Sequence, residues 1–579
     1  MKPAIRQRPL PAGPALDGLH PVLDRIYRSR GLRDSVELSL SLEGLLPSRG
    51  LRGLSRAAEL LADALTSGRR ITLIGDFDAD GATSVALGVL ALRAMGADSP
   101  DYLVPNRFHY GYGLTRPIVD LAARQGAELL VTVDNGISSL EGVDLARELG
   151  LQVIVTDHHL PGPAVPAADA IVNPNLAGDE FPSKHLAGVG VIFYVMAGLR
   201  QELRRRGWFR DRSVPEPALA GLLDLVALGT VADVVPMDRN NRILVEQGLR
   251  RIRAGCCRPA LTALLEVAGR DPAEAVAADL AFAAGPRLNA AGRLEDMGVG
   301  IECLLAEDPR HAAEHARRLD ALNRQRRTIE SDMQAQAVAD IESRLPTAAG
   351  DTGPALCLFA RDWHQGVVGI LASRLKERFH RPAVVFAPAG NGAIKGSGRS
   401  VPGLHLRDVL ARVDALHPGL LDRFGGHAAA AGLTLAEKRF GAFRDAFLAV
   451  VEELLPPEAL QAEILTDGPL DPPDLSLDLA QAIRRGGPWG QAFPEPLFHG
   501  TFRVISRRIV GEHHLRLRLR HPDPDGGEVD AIAFGALDRG WDGQGEHVEL
   551  LYRLGVNQWQ GRTRLQLVVE NLFAASPQP

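Results

Sequence analysis

Apolar residues fall into distinct regimes along the chain. Up to about residue 67 they come at helical spacing or around turns, with Leu40, Leu42, Leu45 and Leu46 before the Pro47 stop and a helix pattern from Leu54 to Leu65. From Ile71 short strand-type runs alternate with helix-forming stretches: ITLIG, a helix to Met95, Tyr102 to Val104, a helix near Pro117 to Arg124, LLVTV, a helix after Ser139, and QVIVT. This alternation predicts βαβ units on a parallel sheet. Residues 310 to 345 carry apolar positions at Leu319, Leu322, Ile329, Met333 and Ile341 among many charges, which predicts a long connecting helix. A second α/β pattern follows from about Asp351, through LCLFA, GVVGILASRL and PAVVFA. Beyond Ile464 the period changes to two, in TFRVISRRI, HLRLRLRH, EVDAIAFG, HVELLYRLGVNQW and TRLQLVVENL, as antiparallel strands of an OB-type barrel require.

The fold class is therefore α/β multidomain: an N-terminal helical cover (1–67), a parallel-sheet domain (68–240), a helical connector with the long helix (241–350), a smaller α/β companion (351–455) and a barrel (464–575). In open parallel sheets, functional groups collect beyond the carboxyl ends of the strands. ITLIG runs into Asp76, Asp78 and Asp80; LLVTV runs into Asp134-Asn135-Gly136; QVIVT runs into Asp157-His158-His159. Asp233 stands in GTVADVVPM just past an apolar helix pattern. Alone, DFDADG also suits a solvated acidic turn. Several carboxylates brought together raise one another's pKa unless a cation neutralises them, and charge at consecutive sheet mouths makes this a divalent-metal site.

Composition changes this picture little. A chain of 579 residues with 45% apolar and 23% charged residues suits three or four globular domains. The net charge of -6 exerts no global pull on nucleic acid, although Arg204 to Arg206 or Arg250, Arg251 and Arg253 could line a groove as readily as a solvated face. Cys256, Cys257, Cys303 and Cys357 form no CxxC pair, which fits a reducing compartment. With no signal-peptide core and no apolar run near the roughly 20 residues of a membrane span, a cytoplasmic protein without a membrane partner is expected. No GxxxxGK[ST] or complete GxGxxG occurs, so ATP is not expected either. His311, Glu314 and His315 spell HxxEH, but with no further ligand motif they read as a surface helix.

DFDADG, VTVDNG, VTDHH and GTVADVVPM, in this order, resemble the four motifs of the DHH phosphoesterase superfamily. The resemblance implies one metal held by Asp76, Asp78 and Asp134 and a second held by Asp80, Asp134, His158 and Asp233, with Asp134 bridging. His159 would contact phosphate or orient the site. Oxygen ligands with a single imidazole suit two divalent cations, Mn²⁺ or Mg²⁺, rather than Zn²⁺, and such a pair activates water for phosphate-ester hydrolysis. In PNRFHYGYGLT, Arg107 could reach a phosphate or make a surface ion pair. GPRLNAAGR, with Arg287, Asn289 and Arg293, matches a segment of the exonuclease branch. GAIKGSGRS, with Ser397, Arg399 and Ser400, and RFGGHAAAAG, with His427, resemble the DHHA1-type companion domain and offer phosphate contacts. His364 could assist there or cap a helix.

Arg516, Arg518 and Arg520 alternate on one face of the barrel, with Phe534 and Trp559 as stacking platforms for single-stranded nucleic acid. Over nearly the whole chain the domain order resembles the single-strand-specific exonuclease branch. That resemblance implies 5′ to 3′ hydrolysis of single-stranded DNA to mononucleotides in recombination and repair. A pocket for the terminal 5′-phosphate would involve Arg107, Ser397 and Arg399, with Arg293 nearby. The alternatives are a phosphatase or oligoribonuclease acting on short nucleotides, or a non-catalytic replication-fork scaffold. A single-strand-binding protein and a helicase are the candidate protein partners. If the barrel binds the strand, deleting residues beyond Ile464 should weaken long-strand binding and its salt dependence and spare metal binding; equal affinity would make the barrel merely structural.

Overall fold

The first α/β regime folds into five parallel strands: β1 (Ile71–Ile74), β2 (Asp101–Leu103), β3 (Leu129–Val133), β4 (Gln152–Thr156) and β5 (Ala170–Val172). Their order in the sheet is β2-β1-β3-β4-β5. β1 and β3 are buried throughout, which is why they read as unbroken apolar runs. The order reverses between β1 and β3, opening a crevice at their carboxyl ends where DFDADG and VTVDNG emerge. Helix Ala79–Ala94 has buried residues on every side and packs against Gly188–Arg205 and Leu223–Ala232. β5 escaped the sequence reading because its three residues, AIV, are too short to show a period.

The computed structural model describes residues 3–106, 110–344, 353–541, 545–559 and 561–574. The chain divides into two compact units, Gln7–Asp320 with Leu465–Pro579, and Met1–Arg6 with Ala321–Ile464. The first holds the parallel sheet and a closed barrel of strands Phe498–Val510, His514–Arg520, Glu528–Ala533, His547–Trp559 and Arg562–Ala574. Leu515, Leu517 and Leu519 fill the barrel while Arg516, Arg518 and Arg520 point outward, as the period of two demands. Residues 465 to 497 precede the barrel strands and contain helix Leu477–Arg485 and a tight aromatic loop.

Part of the N-terminal region serves the barrel. Val22 and Ile26 of helix Pro21–Ser29 join the barrel's apolar cluster, and Arg30 makes a buried two-pronged pair with Asp467 at 2.6 and 3.0 Å. Helix Leu54–Thr66 packs instead on Gly188–Arg205, beside the parallel sheet.

The second unit contains a five-stranded sheet in the order Arg423–Gly426, Ala430–Ala436, Ala393–Arg399, Ala383–Gly390, Leu356–Phe359. Only its last pair is parallel. The glycine-rich RFGGHAAAAG is thus a hairpin rather than an open loop. The expected long helix spans Pro309–Arg344, and HxxEH lies on it outside the metal-competent groups found among the described residues. No described helix is long and apolar enough to cross a membrane.

Candidate metal centre

Each acidic group is delivered by a strand end or a helix end. Asp76 follows β1 and accepts from the Phe77 amide at 2.7 Å. Asp78 caps helix Ala79–Ala94 by accepting from the Gly81 amide. Asp80 lies in that helix's first turn, is buried, and accepts from the amides of Gly188 (2.6 Å) and Val189 (2.9 Å) at the start of helix Gly188–Arg205. A helix N-terminus is where a buried carboxylate is best tolerated. Asp134 ends β3 in the left-handed region at φ 62°, which turns its carboxylate toward the others and which Asp tolerates better than most residues. A Cβ on Gly188 would come within 2.5 Å of the Asp134 Cβ, so glycine is what lets helix and aspartate meet.

His158 joins these carboxylates into one constellation. Its Nε2 lies 3.1 Å from Asp134 Oδ1, 3.5 Å from Asp233 Oδ2 and 4.0 Å from Asp80 Oδ2. Donor atoms of Asp76, Asp78 and Asp134 fall within 4.8 Å of one another, as do those of Asp80, His158 and Asp233, and those of Asp134, His158 and His159. His158 Nε2 and Asp134 Oδ1 are buried and neither makes a hydrogen bond. Burial and neighbouring His159 push the His158 pKa down to about 4, so the ring is neutral and aims a lone pair at carboxylate oxygens. Burial and Asp78 raise Asp80 to about 7, while burial and mutual repulsion hold Asp134 and Asp233 well above the usual carboxylate range. Two orphaned lone pairs among oxygen-rich, mutually repelling donors fit hard divalent cations such as Mn²⁺ or Mg²⁺.

His159 is different in kind. Its Nδ1 donates to Asp157 at 2.7 Å, and although burial opposes the charge, Asp157 raises its pKa to about 9. Burial alone would lift Asp157, but His159 and the Ile137 amide hold it below the carboxylate range. A protonated imidazole offers no lone pair and suits an anion. Asp157, singled out only as part of the DHH run, is therefore a brace. Asn173 and Asn175 donate to the carbonyls of His159 and His158 and fix the same turn. Tyr112 lies edge-on to Phe77 and His159 and donates to the Asp134 carbonyl at 3.3 Å.

The expected phosphate contacts divide. Asn289 Oδ1 accepts from the Ala79 amide at 2.8 Å, and Gly292 packs so closely that a Cβ would fall 1.9 Å from the Phe77 carbonyl; GPRLNAAGR thus braces the DFDADG turn, with Arg293 half-buried on the same helix. Arg287 is buried, and its guanidinium is taken up by Asp320 and the Ala283 carbonyl, so it stiffens the connector rather than offering itself to phosphate. In the second unit, Arg399 donates to Ser397 Oγ and the Gly398 carbonyl, and a Cβ on Gly369 in the first turn of helix Val368–Phe379 would fall 3.0 Å from Ser397 Oγ. His427 is exposed in the adjacent hairpin. His364 Nδ1 accepts from the Gly366 amide in the turn before helix Val368–Phe379, whose N-cap Val367 receives no side-chain cap bond. Arg107 and the Trp559 side chain lie outside the described residues.

On the barrel, Arg516 pairs with Asp530, and Arg518 and Arg520 pair with Glu528, all on exposed surface. Phe534 is 53% exposed and meets His514 edge-on. Sequence reasoning missed the amides that cradle Asp80. Their one visible trace is the small-residue run Ala187-Gly188-Val189-Gly190.

Comparison with known proteins agrees with this domain architecture. Residues 70–230 match the DHH family N-terminal domain, 352–453 the DHHA1 domain and 466–571 the RecJ OB domain. The fold and the acidic centre thus define a DHH-type phosphoesterase. The single-stranded-DNA-specific exonuclease RecJ of Escherichia coli K12 is 54% identical over 96% of this chain and 96% of its own length, and that of Thermus thermophilus is 35% identical over 85% of this chain and 68% of its own length. The crystal structure of RecJ from Thermus thermophilus in complex with Mn²⁺ superposes with a TM-score of 0.78 at 31% identity, covering 99% of this chain and 80% of that one. The chain belongs to the RecJ family. The Mg²⁺ complex of the same Thermus protein matches with a TM-score of 0.74, at 29% identity and 99% and 79% coverage.

Proposed function

We propose that this chain is a metal-dependent, single-strand-specific exonuclease that degrades DNA from the 5′ end to mononucleotides in recombination and repair. The observation that carries this reading is the convergence of five aspartates and a neutral His158 on the sheet's switch point, with two buried lone pairs left unsatisfied. Asp76, Asp78 and Asp134 would hold one cation, and Asp80, Asp134, His158 and Asp233 the other. The chemistry such cations supply is Lewis acidity toward the scissile phosphate and its attacking water. The chain's own residues do the rest. His159, kept protonated by Asp157, donates to a phosphate oxygen and neutralises charge that develops there. Asn289 holds the DFDADG turn so that its aspartates keep their spacing.

Ser397, Arg399 and His427 would form an anion cradle within the companion unit, suited to a terminal 5′-phosphate. Arg516, Arg518, Phe534 and Trp559 would hold the strand on the barrel by charge and stacking. The full-length likeness to proteins named as single-stranded-DNA-specific exonucleases supports the substrate class. A phosphatase of short nucleotides has no use for a five-stranded barrel, and a scaffold has no need of a complete ligand set. A single-strand-binding protein and a helicase are the proposed partners, and the cytoplasm the proposed place of action. The test uses purified protein, Mn²⁺ and long single strands labelled at either end, with duplex and dinucleotide controls. Early release of the 5′ label as mononucleotide is expected; cleavage confined to dinucleotides, or release from the 3′ end first, would refute the reading.

A further inference from the structure

We infer that the loop Trp489–Phe493, which leads into the barrel, is a strut that positions Asp233 in the metal centre. The inference rests on the reading of Asp233 as a ligand. Asp233 ends helix Leu223–Ala232 and is followed by Val234, exposed and held at φ 60°, a conformation that a β-branched residue adopts only under constraint. Three residues further on, the buried Met237 donates its amide to the Gln491 carbonyl at 2.7 Å. Gly490 lies against the same residue, where a Cβ would come within 2.7 Å of Met237 Cγ.

The strut is stiff. Gly490 and Phe493 close the loop on themselves through paired amide–carbonyl bonds of 2.9 and 3.1 Å. Trp489 stacks on Phe493 at 5.2 Å and on Tyr27 at 5.9 Å, and the Trp489 indole donates to the Ile483 carbonyl. The guanidinium of Arg242 covers Phe493 at 4.4 Å, and Arg242 belongs to helix Arg239–Arg253, which begins just past the Asp233 loop. The loop is therefore gripped between helices Pro21–Ser29 and Leu477–Arg485 on one side and helix Arg239–Arg253 on the other. Without the strut, the segment from Asp233 to Met237 keeps only local bonds, such as that from Asn241 to the Pro236 carbonyl, and loses its tie to the barrel linker. The barrel linker then contributes to metal binding, and deleting residues beyond Ile464 does not spare it.

The test measures Mn²⁺ binding to the full chain without DNA, from the electron paramagnetic resonance signal of free Mn²⁺. Wild type should bind two ions, and Asp233→Asn should weaken one. Gly490→Ala should weaken that same ion about 10-fold, as loss of a ligand's support does, and leave the other unchanged. Met237→Ala removes the atom that the new methyl strikes, so the Gly490→Ala/Met237→Ala pair should bind like Met237→Ala alone. Trp489→Leu should weaken the same ion, while Trp489→Phe, which keeps a ring on Phe493, should not. If Asp233→Asn weakens one ion while Gly490→Ala and Trp489→Leu weaken neither, or weaken both equally, the strut is refuted and the ligand reading stands. If Asp233→Asn weakens neither, both fall.

Discussion

Asp134→Asn removes an ionisable carboxyl and almost nothing else, because asparagine also tolerates the left-handed backbone held at φ 62°. In the metal-free protein the buried Asp134 faces Asp80, Asp78, Asp233 and Asp76. Replacing a buried acid whose charged form burial and its neighbours already disfavour costs the metal-free protein little, and such replacements at functional sites commonly stabilise by about 0.5–2 kcal/mol. With metal the sign reverses. A cation at 100 times its Kd contributes about 2.7 kcal/mol, so two contribute roughly 5 kcal/mol. At about 2 °C per kcal/mol for a large domain, Mn²⁺ should raise the wild-type melting temperature by roughly 10 °C over the chelated protein. If Asp134 is shared by both ions, the variant should lose most of that rise and melt at or above wild type in EDTA. Scanning calorimetry of both proteins in EDTA and in Mn²⁺ decides it. A variant that keeps half or more of the Mn²⁺-induced rise would refute the shared role, and one that melts several degrees low in EDTA would make Asp134 a structural residue.

The remaining predictions concern protons, the connector and the barrel. Asp80, raised to about 7 by burial and Asp78, is largely protonated below that pH and must lose its proton to bind a cation. Mn²⁺ affinity should therefore fall as pH drops through 7, with protons released on binding at pH 6 in calorimetry run in two buffers; pH-independent affinity from 6 to 8 would contradict this. Arg287→Ala removes the buried ion pair with Asp320 and should cost about 1–3 kcal/mol of stability while leaving the affinity for single-stranded DNA unchanged in the folded protein, as read by denaturant melts and fluorescence anisotropy. Arg516→Ala and Arg518→Ala should each reduce the salt slope of DNA binding by less than the roughly 0.7 expected of a free cation, because Asp530 and Glu528 already engage them.

The parallel sheet was legible because β1, β3 and β4 are buried on both faces and write that burial as unbroken apolar runs. The acids were legible because charge immediately after such runs has little reason to be there other than chemistry. What supports the acids was not. The Gly188 and Val189 amides that hold Asp80 are backbone atoms, common to every residue type. Arg287 reads the same beside a phosphate as beside a carboxylate, and its partner Asp320 lies on another helix. The grip of helix Pro21–Ser29 on the barrel joins residues at opposite ends of the chain, where no local period reports contact. The arginine stripe was visible, yet its neutralisation depends on the cross-strand register that brings Asp530 within reach of Arg516 and Glu528 within reach of Arg518 and Arg520.

The central claim is a pair of cations sharing Asp134, and anomalous diffraction at the manganese edge from Mn²⁺-loaded crystals tests it most directly. Two peaks are predicted, one flanked by Asp76 and Asp78, the other by Asp80, His158 and Asp233, with Asp134 touching both and His159 touching neither. A single peak, or a manganese ion ligated by His159 and not by Asp233, would contradict it.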